Sequence, residues 1–162
     1  MRTANKRVLT AIVLSLYACA APAADWVPYG NARFQYWIDI PPDFSAVEES
    51  QNGDGGVATS KDEKTELSVW GSYLSDSTFS EEMISRIEQD QADGWNVTYQ
   101  KRQSNWAVWS GTKGTRIFYE RSIPVCAEAA AYYRLEYDKE ISETMEKIIS
   151  RLNRSLRSGQ CR

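Results

Sequence analysis

The 162-residue chain reads as an α+β fold, with an antiparallel sheet of about six to seven strands and two main helices packed on it. Three observations say so. Apolar and polar residues alternate with period two in seven short stretches. Two other windows place their apolar residues at helical spacing. The order is strands, helix, strands, helix, without the strand–helix alternation of a parallel sheet.

The first strand lies within Tyr29–Phe44, where Phe34, Tyr36, Ile38 and Ile40 alternate with Arg33, Gln35, Trp37 and Asp39. One face is therefore expected inside, and Pro41-Pro42 stops the strand because neither can donate to a ladder. Asn52–Gly56 is a turn cluster leading into Val57–Ser60, and Thr65–Tyr73 returns to complete a hairpin. Thr78-Phe79-Ser80-Glu81 matches a capping box, opening a helix that runs to about Asp93, with Met83, Ile84 and Ile87 inward and Gly94 as its stop. Trp95, Val97 and Tyr99 alternate next, then Trp106, Val108 and Ser110, then Ile117 and Tyr119, with Gly111–Gly114 turning the last two strands into a hairpin. Tyr133, Leu135 and Tyr137 face one way on a further strand. Ile141, Met145, Ile148, Ile149, Leu152 and Leu156 then define a long closing helix.

Residues 1–23 read as a secretory signal peptide. Arg2, Lys6 and Arg7 precede the apolar run Val8–Leu16, and Ala21-Pro22-Ala23 fits the cleavage site. Cys19 after Ala18 offers a lipid-anchor alternative, to which the bulky Tyr17 fits poorly. Cleavage leaves residues 24–162 as a single domain, placed in the periplasm or secreted, with no stable membrane insertion. Sixteen basic and twenty-two acidic residues remain, a net charge of −6. That balance argues against nucleic acid or an anionic membrane surface as the main partner. Two cysteines remain, Cys126 and Cys161, and an even pair in an exported chain reads as one disulfide.

The chain contains no histidine. That removes the commonest general base and metal ligand, and every Ser-His or Cys-His nucleophile arrangement. The glycine cluster of Asn52–Gly56 lacks the Lys-Ser/Thr ending of a phosphate loop. Counted as a calcium loop from Asn52, it carries Val57 where glycine is required. No cofactor, metal site or catalytic residue is expected. Trp70, Trp109 and Phe118 stand opposite the aliphatic core residues of their strands. Either a second layer buries them, or one sheet face presents them as a candidate binding surface. Arg151, Arg154 and Arg157 form a stripe ending the last helix, which complements the helix dipole or meets an acidic partner.

The run Tyr29-x-Asn31-x-Arg33-Phe34-x-Tyr36-x-Ile38-Asp39-Ile40-Pro41, then Asn52–Gly55, Ser60–Gly71 and Ser110–Glu120, resembles a group of short exported bacterial proteins. More distantly the layout is similar to the PsbP-like superfamily, which includes the PsbP subunit of photosystem II, the Mog-type Ran-binding factor and periplasmic DcrB. The resemblance spans about Asp25–Leu156, and the chain departs from it in Trp37, Trp70 and the cysteine pair. It implies an α/β/α sandwich around an antiparallel sheet, protein binding, and no shared catalytic residue. The expected function is thus a non-catalytic periplasmic accessory or protein-binding module whose partner is another envelope protein. The alternatives are an inhibitor or immunity protein that plugs an enzyme with Asn52–Gly56 and Gly111–Thr115, and a carboxylate-based hydrolase.

Overall fold

A computed structural model describes residues 25–126 and 128–161. The signal peptide read over 1–23, and with it the Cys19 anchor, lies outside the described residues. The first strand pair is β1 (Val27–Asn31) and β2 (Tyr36–Ile40), joined as an antiparallel hairpin. Here the single strand expected from Tyr29 onward is corrected. The Asn31 side chain accepts the Phe34 N–H at 2.9 Å and Gln35 takes a positive φ of 52°, so the chain doubles back between them. The inward set survives, because alternation resumes on the far side of the turn. Phe34, Tyr36, Ile38 and Ile40 are all buried, while Trp37 is exposed.

The chain continues with β3 (Glu48–Glu49), β4 (Gly55–Thr59), β5 (Glu66–Tyr73), α1 (Phe79–Ala92), β6 (Asn96–Gln103), β7 (Trp106–Lys113), β8 (Arg116–Val125) and β9 (Ala129–Asp138). A single 3-10 turn, Lys139–Ile141, leads into α2 (Ser142–Ser155) and the short β10 (Arg157–Ser158). Two antiparallel sheets result. The larger runs β3-β4-β5-β9-β8-β7-β6, and the smaller runs β1-β2-β10.

The larger sheet is covered on both faces, which gives two cores. On one face Leu67, Val69, Ala131, Tyr133 and Leu135 pack against Tyr36, Ile38 and Ile40 of the small sheet and Met145, Leu152 and Leu156 at the closing helix. On the other face Ala107, Trp109, Phe118, Ala130 and Tyr132 pack against Met83 and Ile87 of α1. Full burial of each such aliphatic side chain stabilises the fold by about 1.5–3 kcal/mol. The hairpin approaches the large sheet closely at Gly71, where a Cβ would lie 2.3 Å from the Phe34 ring. Only glycine leaves room for that ring.

The capping box at α1 forms as expected. Thr78 Oγ1 accepts the Glu81 N–H at 3.3 Å, and Glu81 Oε2 accepts the Thr78 N–H at 2.8 Å. Gly94, at φ 89°, ends the helix, and Ile84 is the member of the expected inward trio that turns out instead. A disulfide joins Cys126, just past β8, to Cys161, just past β10. It fastens the end of the small sheet to one end of the large one.

Candidate binding surfaces

Trp70, Trp109 and Phe118 do share one sheet face, but α1 lies on it. Trp109 and Phe118 have no exposed surface, so they belong to a core and present nothing to a partner. The reason is the helix itself. Met83 and Ile87 fall on the side that meets these rings, and the aromatic face supplies the apolar area that an amphipathic helix must bury. Trp70 is half-buried, stacked on Tyr132 at 5.0 Å and 6°, with the Arg86 guanidinium 4.1 Å from the Tyr132 ring centre.

Between α1 and the sheet lies a network of charges. Arg134 Nη1 donates to Asp90 Oδ1 and to Glu120 Oε2, both at 2.8 Å, and Arg134 Nε donates to Glu136 Oε1 at 2.7 Å. The Trp109 indole N–H donates to the other Asp90 oxygen at 2.7 Å. Arg134 also lies 3.9 Å from the Phe118 ring centre. Burial pushes the Glu120 carboxyl up to about 7; Arg134 pulls it back in part, and Asp90 adds to the rise. Burial opposes the charge on Arg134, yet Glu120, Glu136 and Asp90 together hold its pKa above the ordinary arginine value. A carboxylate hydrolase requires convergent acids with displaced pKa values, and these acids do converge. Each of them is bonded to Arg134, and Glu120 is only 3% exposed, so the network locks α1 to β7, β8 and β9.

The two loops considered as a plug lie at opposite ends of the sheet. Gly55 aligns through Trp70, Tyr132 and Ser122 with Ala107, whereas the Gly114-Thr115 turn extends beyond Lys113, Arg116 and Asp138. Asn52–Asp54 is further held from within by Ser50 Oγ, and Arg33 donates to the Asn52 carbonyl at 2.6 Å.

A different surface stands open at the sheet's edge. At one end of the large sheet is β3, two residues long and doubly acidic. At the other is β6, eight residues long, paired only with β7, and exposed along nearly its whole length. A strand of that kind presents unpaired backbone groups to any extended chain. Its register sets Tyr99 beside Ser110 and Lys101 beside Val108, and continues to Tyr119 and Arg121 on β8. Trp106 lies between two cations, with Lys101 Nζ 5.7 Å and Arg121 Cζ 5.4 Å from its ring centre. Neither cation has a carboxylate within 4 Å among the described residues. Tyr99 is 50% exposed. The α2 layer ends nearby, where Asn153 donates to the Tyr119 hydroxyl at 3.0 Å and accepts from the Tyr133 hydroxyl at 2.7 Å.

Tyr99, Lys101, Trp106 and Arg121 were not among the residues that the sequence singled out. One signal was available: Thr98–Gln103, TYQKRQ, carries no aliphatic residue on either face, as an edge strand does.

Two features are then decisive for the fold: an antiparallel sheet helix-covered on one side, and a closing helix with a hairpin on the other. Solved structures share them at low sequence identity. The chain superposes on cyanobacterial PsbP from Synechocystis sp. PCC 6803 with a TM-score of 0.61 and 14% identity, over 89% of this chain and 97% of that one. It superposes on the Ran-binding protein Mog1p of Saccharomyces cerevisiae with a TM-score of 0.58 and 9% identity, over 83% and 96%. The fold is PsbP-like. No protein-family model matches the sequence, and no curated protein matches it. Within this PsbP-like fold, the α/β/α layering expected from the resemblance holds, with the β1-β2-β10 sheet sharing a layer with α2.

Proposed function

We propose that the protein is a non-catalytic, protein-binding module of the cell envelope that takes an extended, acidic segment of its partner as an added strand beside β6. The observation that carries this reading is the free β6 edge, flanked by two cations without carboxylate partners. Main-chain pairing would supply affinity, and alternate side chains of the partner would meet Tyr99 and Lys101 on one face and Arg102 on the other. Charge selects the occupant. A second copy paired antiparallel about this end of β6 would crowd two Lys101 and two Arg102 side chains together, whereas acidic side chains would neutralise them. Protein binding is also what the Ran-binding neighbour's name describes for that protein.

Placement in the envelope rests on the leader read in residues 1–23 and on the Cys126–Cys161 bridge, since disulfides persist in oxidising compartments. Among the described residues, no helix is long and apolar enough to cross a membrane. The two loops of the inhibitor alternative lie at opposite ends of the sheet, and the convergent acids that a hydrolase would use are paired with Arg134.

A photo-reactive residue placed at Tyr99, compared with one at the equally exposed Tyr73, tests the reading in the producing cell. Cross-links specific to position 99, abolished by Lys101→Glu and retained by Lys101→Arg, are expected. Equal cross-linking from both positions, or indifference to the charge reversal, would remove β6 as the binding edge.

A further inference from the structure

Of the arginine stripe expected on the last helix, Arg151 and Arg154 lie near the end of α2 while Arg157 lies past it on β10. The β6 edge uses none of them, and the three line an open groove of about 410 Å³ together with Asp39 and Ser155. We propose that this groove is a binding site for a dianionic phosphoryl group, a phosphate monoester carried either by a small molecule or by a lipid headgroup.

The argument starts from charge. Arg151 Nη2 lies 3.4 Å from one Asp39 oxygen and Arg157 Nη1 lies 4.0 Å from the other. Arg154 bonds the Ser150 hydroxyl at 2.7 Å and has no carboxylate within 4 Å among the described residues. Three guanidinium groups thus face one carboxylate, a local charge of +2 in a domain whose net charge after the leader is −6. Complementing the helix dipole does not account for it. Arg157 lies past the helix and donates to the Ser155 carbonyl at 3.0 Å, whereas Arg151 and Arg154 bond Asp39 and Ser150 rather than the last helical carbonyls. A phosphate monoester carries about −1.5 to −2 at neutral pH, which matches the surplus.

Geometry supports the same ligand. Two of the arginines are braced on indole rings. Arg151 Cζ sits 4.6 Å from the centre of the Trp26 ring, and Arg157 Cζ sits 5.9 Å from that of Trp37. Each guanidinium spends only part of its five donors on the protein, Arg151 on Asp39, Arg154 on Ser150 and Arg157 on the Ser155 carbonyl, and the remaining N–H groups can grip an oxyanion by paired hydrogen bonds. Ser155 contributes no free donor, because its hydroxyl donates to the Leu152 carbonyl and accepts from the Asp39 N–H. The binding groups are therefore the three guanidiniums. Trp37, 44% exposed, lies beside Arg157 next to the groove rather than in its lining.

Asp39 gives the site a distinctive test. It competes with the ligand for Arg151 and Arg157, so Asp39→Asn is expected to tighten phosphate binding, whereas Arg154→Ala is expected to weaken it about tenfold. The measurement is a titration of the mature protein with inorganic phosphate and with glycerol 1-phosphate, followed at the Trp37 indole resonance. Sedimentation with phosphatidylcholine vesicles, plain or containing phosphatidic acid, runs in parallel. Saturable shifts that strengthen in Asp39→Asn and weaken in Arg154→Ala establish the site. Capture on phosphatidic acid vesicles marks the lipid source, and its absence marks the soluble one. No shift with either phosphate and no vesicle capture, or identical affinities in the wild type and both variants, would overturn it. Lys64→Gln, on the exposed turn between β4 and β5, serves as the variant expected to leave phosphate binding unchanged.

Discussion

Glu120 shows how a single side chain fixes the role of a whole face. Read from the sequence, its neighbours Trp109 and Phe118 were candidates for a ligand surface; in the fold they surround a buried carboxylate held by Arg134. Burial is what displaces Glu120 upward; Asp90 adds to the rise, while Arg134 and Arg86 oppose it. The native state therefore holds the Glu120 proton more tightly than the unfolded chain, whose carboxyl has the ordinary value of 4.5. Its contribution to stability is full below about pH 4.5 and is lost as pH rises through about 7. The Glu120→Gln variant lacks this loss. Urea melts of both proteins at pH 5 and pH 8 are expected to move in favour of the variant by an amount on the order of 1–3 kcal/mol. A constant difference across that range would mean that Glu120 is ionised throughout.

At the scale of elements, the β1–β2 hairpin tests the register most sharply. Ile38 is fully buried between the large sheet and α2, whereas Gln35 is half-buried in the turn and uses only its backbone carbonyl, which accepts the Gly159 N–H at 2.6 Å. Ile38→Ala is expected to cost about 2–5 kcal/mol, and Gln35→Ala under about 0.5 kcal/mol. Comparable losses in denaturant melts would invert the inward assignments. The alternation of Phe34, Tyr36, Ile38 and Ile40, the capping box at Thr78 and the helical spacing in α2 were legible because each is written within a few neighbouring residues. What was not legible depends on distant ones. The turn at Arg33–Gln35 is an exception: it had one local signal that was passed over, the Asn31 side chain, because the aromatic alternation continues across it and the positive φ falls on a glutamine. A strand's sequence does not say whether it lies at an edge. Trp109 and Tyr99 both read as aromatics in alternating strands, and only the sheet order separates the first, buried under α1, from the second, half in solvent. The arginines were legible as a row, but Asp39, which lines the groove with them, and the Trp26 and Trp37 indoles beside Arg151 and Arg157 come from the other end of the chain.

At the scale of the molecule, two sheets and two helices form two cores, and the disulfide closes the assembly. The bridge spans 36 residues from Cys126 to Cys161 inclusive. Closing such a loop restricts the unfolded chain by about 3–4 kcal/mol in the chain-entropy account. Cys126→Ser and Cys161→Ser are each expected to lose a similar amount, and the double variant little more, because either change alone opens the loop. Free-thiol labelling of both sulfurs in the native protein would contradict this. The distribution of charge has the same global character. A domain with a surplus of acids keeps unpartnered cations at the β6 edge and at the end of α2, and each place is suited to an anionic occupant.

Backbone pairing on β6 is the central claim, and amide hydrogen exchange measures it directly. The mature protein would be compared alone and with the acidic segment recovered from the cross-link at position 99. The expected result is slowed exchange confined to Asn96–Gln103, at the N–H groups that β7 leaves unpaired, and absent in Lys101→Glu. Protection spread over α1 or the Asn52–Gly56 loop with β6 unchanged would contradict strand addition.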